Sequence, residues 1–249
     1  MAATSESIEL SVEQERIAGT LLAPQKRMPG ILFVHGWGGS QTRDMTRARG
    51  IAGLGCVCLT FDLRGHEKTL LQKQTVTREH NLQDMLVAYD RLAQHPSTDP
   101  ERIAVIGTSY GGYLATILTT LRPVRWLAMR VPALYWDDQW HVPKQQLDRA
   151  QLMRYRQTLL GPLDNRALGA CADFLGDVLI VESEHDEHVP HSTIMNYRSS
   201  FRRAHSMTHR IIDGADHGLS DERCQHAYTD ILTNWISEMI IGDRIGHLS

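Results

Sequence analysis

The sequence predicts an α/β domain with a doubly wound, mostly parallel sheet. Four short, continuously apolar runs end at polar or glycine-rich turns, as the buried central strands of such sheets do: residues 30–34, 55–61, 102–106 and 177–181. Helical patterns alternate with these runs along the chain. Because 249 residues are enough to build one large core, we expect a single domain over residues 1–249.

The edges of the sheet follow from weaker patterns. Alternation of apolar and polar residues over 8–23, with a break at Gly19, favours an N-terminal antiparallel hairpin. Residues 126–129 and 208–212 are candidates for two further strands. Together with the four buried runs, these segments account for the whole predicted sheet.

Apolar residues at three- and four-residue intervals predict the helices. One helix covers residues 82–92 and is closed by Pro96, and another covers residues 227–239. About forty residues separate the strands near 129 and 178, which is far more than an ordinary crossover needs. We interpret residues 135–175 as a lid insertion, with an amphipathic helix over residues 144–160.

Composition and charge narrow the class of partner. The formal net charge is −3 with both signs scattered, so no basic stripe indicates a nucleic acid. The first seven residues do not resemble a signal peptide, and no apolar run reaches the length of a membrane span. We therefore expect a cytoplasmic protein that binds neither nucleic acid nor membrane. The four cysteines are expected to be buried and reduced: Cys56, Cys58, Cys171 and Cys224.

The stretch Gly107-Thr108-Ser109-Tyr110-Gly111 directly follows a predicted buried strand. A sharp strand-to-helix turn of this kind raises the serine hydroxyl above the sheet, and the flanking glycines let neighbouring backbone pass. By chance alone a G-x-S-x-G match arises in roughly one chain in ten of this length. Ser109 is therefore a candidate nucleophile only if a base, an acid and oxyanion donors accompany it.

Suitable partners follow two later strands. Asp186 lies after the run 177–181, and His217 lies in a tight turn after residues 208–212. Because the carboxyl ends of parallel strands meet at one edge of a sheet, Ser109, Asp186 and His217 are expected to converge there. Their order along the chain is the one typical of this architecture.

Other residues compete for the same two roles. The acid could instead be a carboxylate beside Asp186 or one that follows the preceding strand, and the base could be an earlier histidine: Glu184, Glu187, Asp137, Asp138, His205 and His209. We favour Asp186 and His217 because each lies after the end of its strand.

The glycine-rich turn His35-Gly36-Trp37-Gly38-Gly39 follows the strand at 30–34 on the same edge. An oxyanion needs amide groups at hydrogen-bond distance from the carbonyl oxygen under attack. We assign these donors to the amides of Trp37 and Tyr110, the latter at the start of the helix after Ser109. His35 is expected to brace the turn by hydrogen bonding.

Two side-chain groups leave alternatives open. The aromatic residues Tyr135, Trp136 and Trp140 either line a substrate pocket or anchor the insertion on the core. The arginines at the lid either select an acidic substrate or form a solvated helix face: Arg130, Arg149, Arg154 and Arg156.

A metal site is a weaker interpretation of one histidine cluster. His185, Asp186, His188 and His191 are ligand types for zinc, but their spacing matches neither His-Glu-x-x-His nor a zinc finger. We expect no metal ion and no organic cofactor.

These motifs resemble the α/β-hydrolase family over residues 30–239. The matching residues are 35–39, Asp62-Leu63-Arg64-Gly65, residues 107–112, Asp186 with Val189-Pro190, and His217. Within that family the chain is most similar to small dienelactone-hydrolase-like and prolyl-oligopeptidase-like serine esterases. It departs from the pattern at the elbow, where a dienelactone hydrolase is expected to carry cysteine, and at His66-Glu67, where the family pattern ends in glycine.

The resemblance implies a serine hydrolase that cleaves a small-molecule carboxylic ester through an acyl-enzyme. Peptidase or thioesterase activity remains an alternative, as does a non-hydrolytic lyase, a perhydrolase or a ligand-binding receptor on the same fold. The sequence does not choose between a monomer and a homodimer.

Overall fold

The computed structural model describes residues 4–23 and 27–246, and its eight strands form a single sheet. The strands are β1 Thr4–Val12, β2 Glu15–Ala23, β3 Met28–Val34, β4 Val57–Phe61, β5 Thr98–Thr108, β6 Trp126–Arg130, β7 Asp177–His185 and β8 Ser206–Asp216. Their order across the sheet is β1-β2-β4-β3-β5-β6-β7-β8. Strand β2 pairs antiparallel with β1 and β4, and the remaining neighbours pair parallel. The predicted fold class, with its N-terminal antiparallel hairpin, is confirmed.

Helices cover both faces of the sheet. They are α1 Thr42–Gly53, α2 Arg78–Ala93, α3 Tyr110–Leu118, α4 Arg149–Gln157, α5 Arg166–Asp173, α6 His191–Ser200 and α7 Glu222–Gly246. One apolar core holds Ile51 of α1 and Leu232 of α7, and the other holds residues of α2 to α6, such as Met85 and Leu168. Within the described residues, no helix is both long and apolar enough to cross a membrane. All four cysteines are buried and none is in a disulfide, as predicted.

The hairpin turns at a different place from the one predicted. Its turn lies at Glu13 and Gln14, where Glu13 has φ +55°, whereas Gly19 lies inside β2 opposite Ile8 of β1 and Phe61 of β4. A Cβ atom at Gly19 would lie 3.1 Å from Cγ1 of Ile8. The glycine therefore permits close packing between strands, and the predicted break was wrong.

Two strands extend further than their apolar runs suggest. Strand β7 continues to His185 and β8 to Asp216, where polar and partly exposed residues keep the pairing between them. Asp186 and His217 consequently follow the last residue of their strands directly.

The insertion between β6 and β7 contains two helices where one was predicted. A short 3₁₀ turn at Lys144–Gln146 precedes α4, and Asp148 caps α4 by accepting a hydrogen bond from the amide of Gln151 at 2.9 Å. Because an N-cap residue fixes the start of a helix, the predicted helix over 144–160 is shortened to α4. The second helix, α5, carries the insertion back towards β7.

Candidate active site

Ser109 lies at the turn from β5 into α3 with φ +51° and ψ −109°. Residues other than glycine rarely adopt this backbone conformation, and such strain is typical of functional turns. The flanking glycines allow close contacts, because a Cβ atom at Gly107 would lie 2.6 Å from the carbonyl oxygen of Gly111. A Cβ atom at Gly111 would lie 2.3 Å from the carbonyl oxygen of Val34. The local packing therefore holds Ser109, which is partly buried, in this turn.

Asp186 and His217 form a hydrogen-bonded pair at the ends of β7 and β8. Nδ1 of His217 donates to Oδ2 of Asp186 at 2.6 Å. The other carboxylate oxygen accepts from the amides of His188 and Val189, each at 2.8 Å. Burial acts to raise the pKa of Asp186, but the hydrogen bonds from His217, Val189 and His188 outweigh it and lower the pKa. The carboxylate is thus held ionised and aimed at the imidazole.

Ser109 and His217 line the same two cavities, whose volumes are about 490 Å³ and about 370 Å³. Since Nδ1 of His217 donates to Asp186, Nε2 of the neutral ring carries the free lone pair. The guanidinium of Arg130 donates to the carbonyl oxygen of His217 at 3.0 Å and so holds the backbone at this residue. No local sequence pattern predicts this contact, because Arg130 and His217 are 87 positions apart.

The loop after β3, residues 35–39, lies against the serine turn. A Cβ atom at Gly36 would lie 3.4 Å from Cβ of Ser109, and Trp37 lines both cavities. The rings of Trp37 and Tyr110, the two residues whose amides were predicted as oxyanion donors, lie edge to face with centroids 5.5 Å apart. The loop therefore places Trp37 on the walls of the two cavities that Ser109 also lines.

His35 braces this loop, as expected. Its Nε2 accepts from the amide of Leu63 at 3.0 Å, and its Nδ1 donates to the carbonyl oxygen of Gly36 at 2.8 Å. Burial lowers the pKa of His35 to about 4, so the ring is neutral near pH 7.

His66 is a second brace that sequence reasoning missed. Its Nε2 accepts from the amide of Gly38 at 2.9 Å, and its ring centroid lies 4.9 Å from that of Trp37. Burial and then the neighbouring His35 lower the pKa of His66 to about 4. The next residue, Glu67, adopts φ +43° at the position where the family pattern has glycine. Glu67 therefore has the left-handed backbone that glycine adopts most readily, and His66 supplies a hydrogen-bond acceptor to the loop after β3.

Only one of the three predicted aromatic contacts reaches the cavities. Tyr135 lines the smaller cavity beside Ser109, whereas Trp136 and Trp140 line neither of the two. The guanidinium of Arg78 donates to the carbonyl oxygens of Trp136, at 2.8 Å, and Gln139. For Trp136 and Trp140 the structure therefore favours the anchoring alternative over a substrate contact.

Two of the carboxylates that compete with Asp186 have other partners. Glu184 accepts from the amide of Gly214 at 2.7 Å, and Asp137 accepts from the amide of Arg166 at 2.7 Å. In the cluster considered for zinc, Nδ1 of His191 lies 2.6 Å from Glu182, while the ring of His188 lies 4.9 Å from that of His217. The cluster members therefore point to different places, and His188 joins the site beside His217.

Residues 44–242 match the prolyl oligopeptidase family. The chain belongs to this family. It is accordingly a serine hydrolase with the α/β-hydrolase fold, in agreement with the resemblance seen in the sequence.

Solved structures share the fold of this family member at low sequence identity. A dienelactone hydrolase from Anabaena variabilis has a TM-score of 0.69 and 18% identity, with 96% of this chain and 99% of that chain covered. The acylaminoacyl peptidase from Pyrococcus horikoshii has a TM-score of 0.69 and 17% identity, and covers 96% of this chain, which spans only 42% of the peptidase. Est1E from Butyrivibrio proteoclasticus has a TM-score of 0.69 and 14% identity, with 94% of this chain and 99% of that chain covered. No curated protein matches the chain.

Proposed function

We propose that this serine hydrolase cleaves a carboxylic ester through an acyl-enzyme formed on Ser109. The observation that carries the proposal is the hydrogen bond from Nδ1 of His217 to Asp186, in a histidine that lines the same cavities as Ser109. An ionised, well-bonded carboxylate fixes the imidazole so that Nε2 is free to accept a proton. A serine hydroxyl needs such a base to act as a nucleophile near neutral pH.

In the first half of the reaction, Oγ of Ser109 attacks the ester carbonyl and its proton passes to Nε2 of His217. Asp186 stabilises the imidazolium that forms, and the amides of Trp37 and Tyr110 donate to the oxyanion of the tetrahedral intermediate. Collapse of the intermediate breaks the bond to the alcohol, which takes the proton from Nε2. In the second half, water attacks the acyl-enzyme with His217 as base, and Ser109 and the free acid are released.

Two relatives in fold bear on the choice of bond. The dienelactone hydrolase supports an ester, because a lactone is a cyclic ester and the two chains cover each other almost completely. The acylaminoacyl peptidase supports a peptide bond as the second candidate. A direct comparison is to measure hydrolysis of p-nitrophenyl butyrate and of an N-acetyl amino acid p-nitroanilide by the same preparation. We expect turnover of the ester to exceed that of the anilide.

The test of the proposal is ester turnover by wild type and Ser109→Ala. We expect kcat to fall by a factor on the order of 10⁴ or more, because the covalent route is lost while binding remains. A thermal melt of the variant controls for folding. A folded Ser109→Ala protein with undiminished turnover would contradict the proposal.

A further inference from the structure

The smaller cavity beside Ser109 is lined by several cationic side chains. Lys144, Arg149 and Arg156 all lie on its wall, and the wall contains no aspartate or glutamate among the described residues. The chain as a whole carries a formal net charge of −3, so this positive lining is a local feature. The volume of the smaller cavity, about 370 Å³, is in the range of small-molecule sites.

Lys144 has no acidic partner among the residues that the structure describes. Its Nζ lies 4.7 Å from the ring centroid of Trp37, 5.5 Å from that of Tyr135 and 5.8 Å from that of Tyr110. Contacts with aromatic faces offset part of the desolvation of an ammonium group. Burial is the largest cause that lowers the pKa of Lys144, and the neighbouring Arg156 and Arg149 lower it further. Among the described salt bridges, none involves this lysine.

Arg156 is a second cation on the same wall and is more deeply buried than Lys144. It is 8% exposed, and it donates to the carbonyl oxygens of Leu134 at 3.1 Å and His188 at 2.8 Å. Carbonyl oxygens satisfy its N–H groups but leave its charge uncompensated. Burial of a charge without an opposite charge is costly, so a cavity built this way is complementary to an anion.

The larger cavity has a different charge arrangement. There Arg47 lies 3.5 Å from the carboxylate of Asp44, and Arg130 donates to the carbonyl oxygen of His217. The lining of the larger cavity thus holds three arginines, the third being Arg43, together with one aspartate. Of the described residues, the lining of the smaller cavity holds three cations and no carboxylate, so the excess of positive charge is greater there.

We propose that the smaller cavity binds an anionic group of the substrate, so that the ester cleaved carries a carboxylate, with Lys144 as its principal contact and Arg149 at the rim. The inference rests on the proposed ester hydrolysis and names its substrate class. The cationic lining can bind a carboxylate on either the acyl or the alcohol part of the ester.

The experiment compares matched anionic and neutral esters. On the acyl side, the p-nitrophenyl monoester of glutaric acid is compared with the same compound as its methyl ester. On the alcohol side, 4-butyryloxybenzoate is compared with methyl 4-butyryloxybenzoate. We expect the anionic member of at least one pair to have the higher kcat/KM, by about tenfold or more.

Substitutions assign the preference to the cavity. Lys144→Met keeps the length and apolar stem of the side chain but removes the charge, and it is expected to lower the anionic-to-neutral ratio of kcat/KM by about tenfold. Arg149→Met is a second variant at an exposed position, with a smaller effect in the same direction. Arg154→Met, on the exposed side of α4 and away from the cavity wall, is the matched control and should leave the ratio unchanged.

The outcomes separate the two proposals. If neutral esters are cleaved in a Ser109-dependent reaction but no pair favours the anion, or if Lys144→Met leaves the ratio unchanged, the anion site is overturned alone. If Ser109→Ala retains turnover of all four esters, the proposed ester hydrolysis at Ser109 fails. A preference that disappears in Lys144→Met and persists in Arg154→Met supports the inference.

Discussion

Nε2 of His66 accepts a hydrogen bond from the amide of Gly38 at 2.9 Å, and this contact ties the loop after β4 to the loop after β3. His35 makes a second tie in the opposite direction by accepting from the amide of Leu63. Both rings act as acceptors, so each must be neutral at Nε2. The loop that carries Trp37 therefore depends on two unprotonated histidines.

The stability of the protein is expected to fall in mild acid because of these histidines. Their pKa values are lowered from 6.5 to about 4 in the folded protein, so only the unfolded chain takes up these protons between those values. The contribution is fully present above pH 6.5 and is lost as the pH falls towards 4, by up to about 3 kcal/mol for each ring. Urea unfolding at pH 7 and pH 4.5 measures this change.

The variant His66→Gln isolates one of the two histidines. Glutamine offers an amide oxygen as acceptor but does not titrate, so we expect a smaller loss of stability between pH 7 and 4.5 than in wild type. An equal loss in both proteins would argue against a titrating role for His66.

The close approach of β3 to α3 predicts that Gly111→Ala is strongly destabilising. A methyl group there would meet the carbonyl oxygens of Val34 and His35 at 2.3 and 2.6 Å, so the backbone must shift. We expect a loss on the order of 4 kcal/mol in the free energy of unfolding. Gly50→Ala is the control, because this exposed site in α1 has no atom within 4 Å and the change should stabilise by roughly 0.5–1 kcal/mol. Similar melting temperatures for the two variants would refute the expectation.

Loss of the Asp186 carboxylate is expected to reduce kcat far more than it affects folding. In Asp186→Asn an amide nitrogen can face Nδ1 of His217 in place of an acceptor, which favours the wrong tautomer, and kcat should drop by a factor on the order of 10⁴. Glu184→Gln tests the rival acid, and its kcat should change by less than about threefold, since a glutamine oxygen still accepts from the amide of Gly214. Steady-state ester kinetics distinguish them. A large loss in Glu184→Gln with a small loss in Asp186→Asn would reverse the assignment.

Arg78 is expected to be the main attachment of the insertion to α2. It is fully buried, and Arg78→Met would leave the carbonyl oxygen of Trp136 without a donor and that of Gln139 with only the amide of Val142, at a cost of about 2–4 kcal/mol. Arg91→Met, on the same helix, loses only a partly exposed pair with Glu6 at 3.9 Å and should cost less than about 0.5 kcal/mol. Urea unfolding monitored by tryptophan fluorescence compares the two variants. Equal costs would show that the insertion is held elsewhere.

The fold was predictable because its central strands are marked by continuous apolar runs and its elbow by two glycines. Those glycines have a local cause that can be recognised in sequence, since backbone passes within contact distance of each. The bounds of β7 and β8 were harder to predict, because their polar ends are held by pairing between strands that lie far apart in sequence.

A site residue could be predicted where its residue type suits a catalytic role and it directly follows the end of a predicted strand. Ser109, Asp186 and His217 met that condition. His66 did not, because nothing in its own neighbourhood indicates that it meets Gly38, a residue 28 positions earlier. Lys144 likewise lies against the ring of Trp37 only because the insertion folds back over the loop after β3. Its own sequence neighbours do not indicate this contact.

Nucleophilic catalysis by Ser109 is tested most directly by the site of covalent labelling by a fluorophosphonate, measured by intact mass and peptide mapping. We expect one adduct, on Ser109, that is absent from Ser109→Ala. Ser220→Ala, which removes another serine from the wall of the larger cavity, should keep the adduct. An adduct on another residue, or none on a folded wild-type protein that hydrolyses esters, would contradict this role of Ser109.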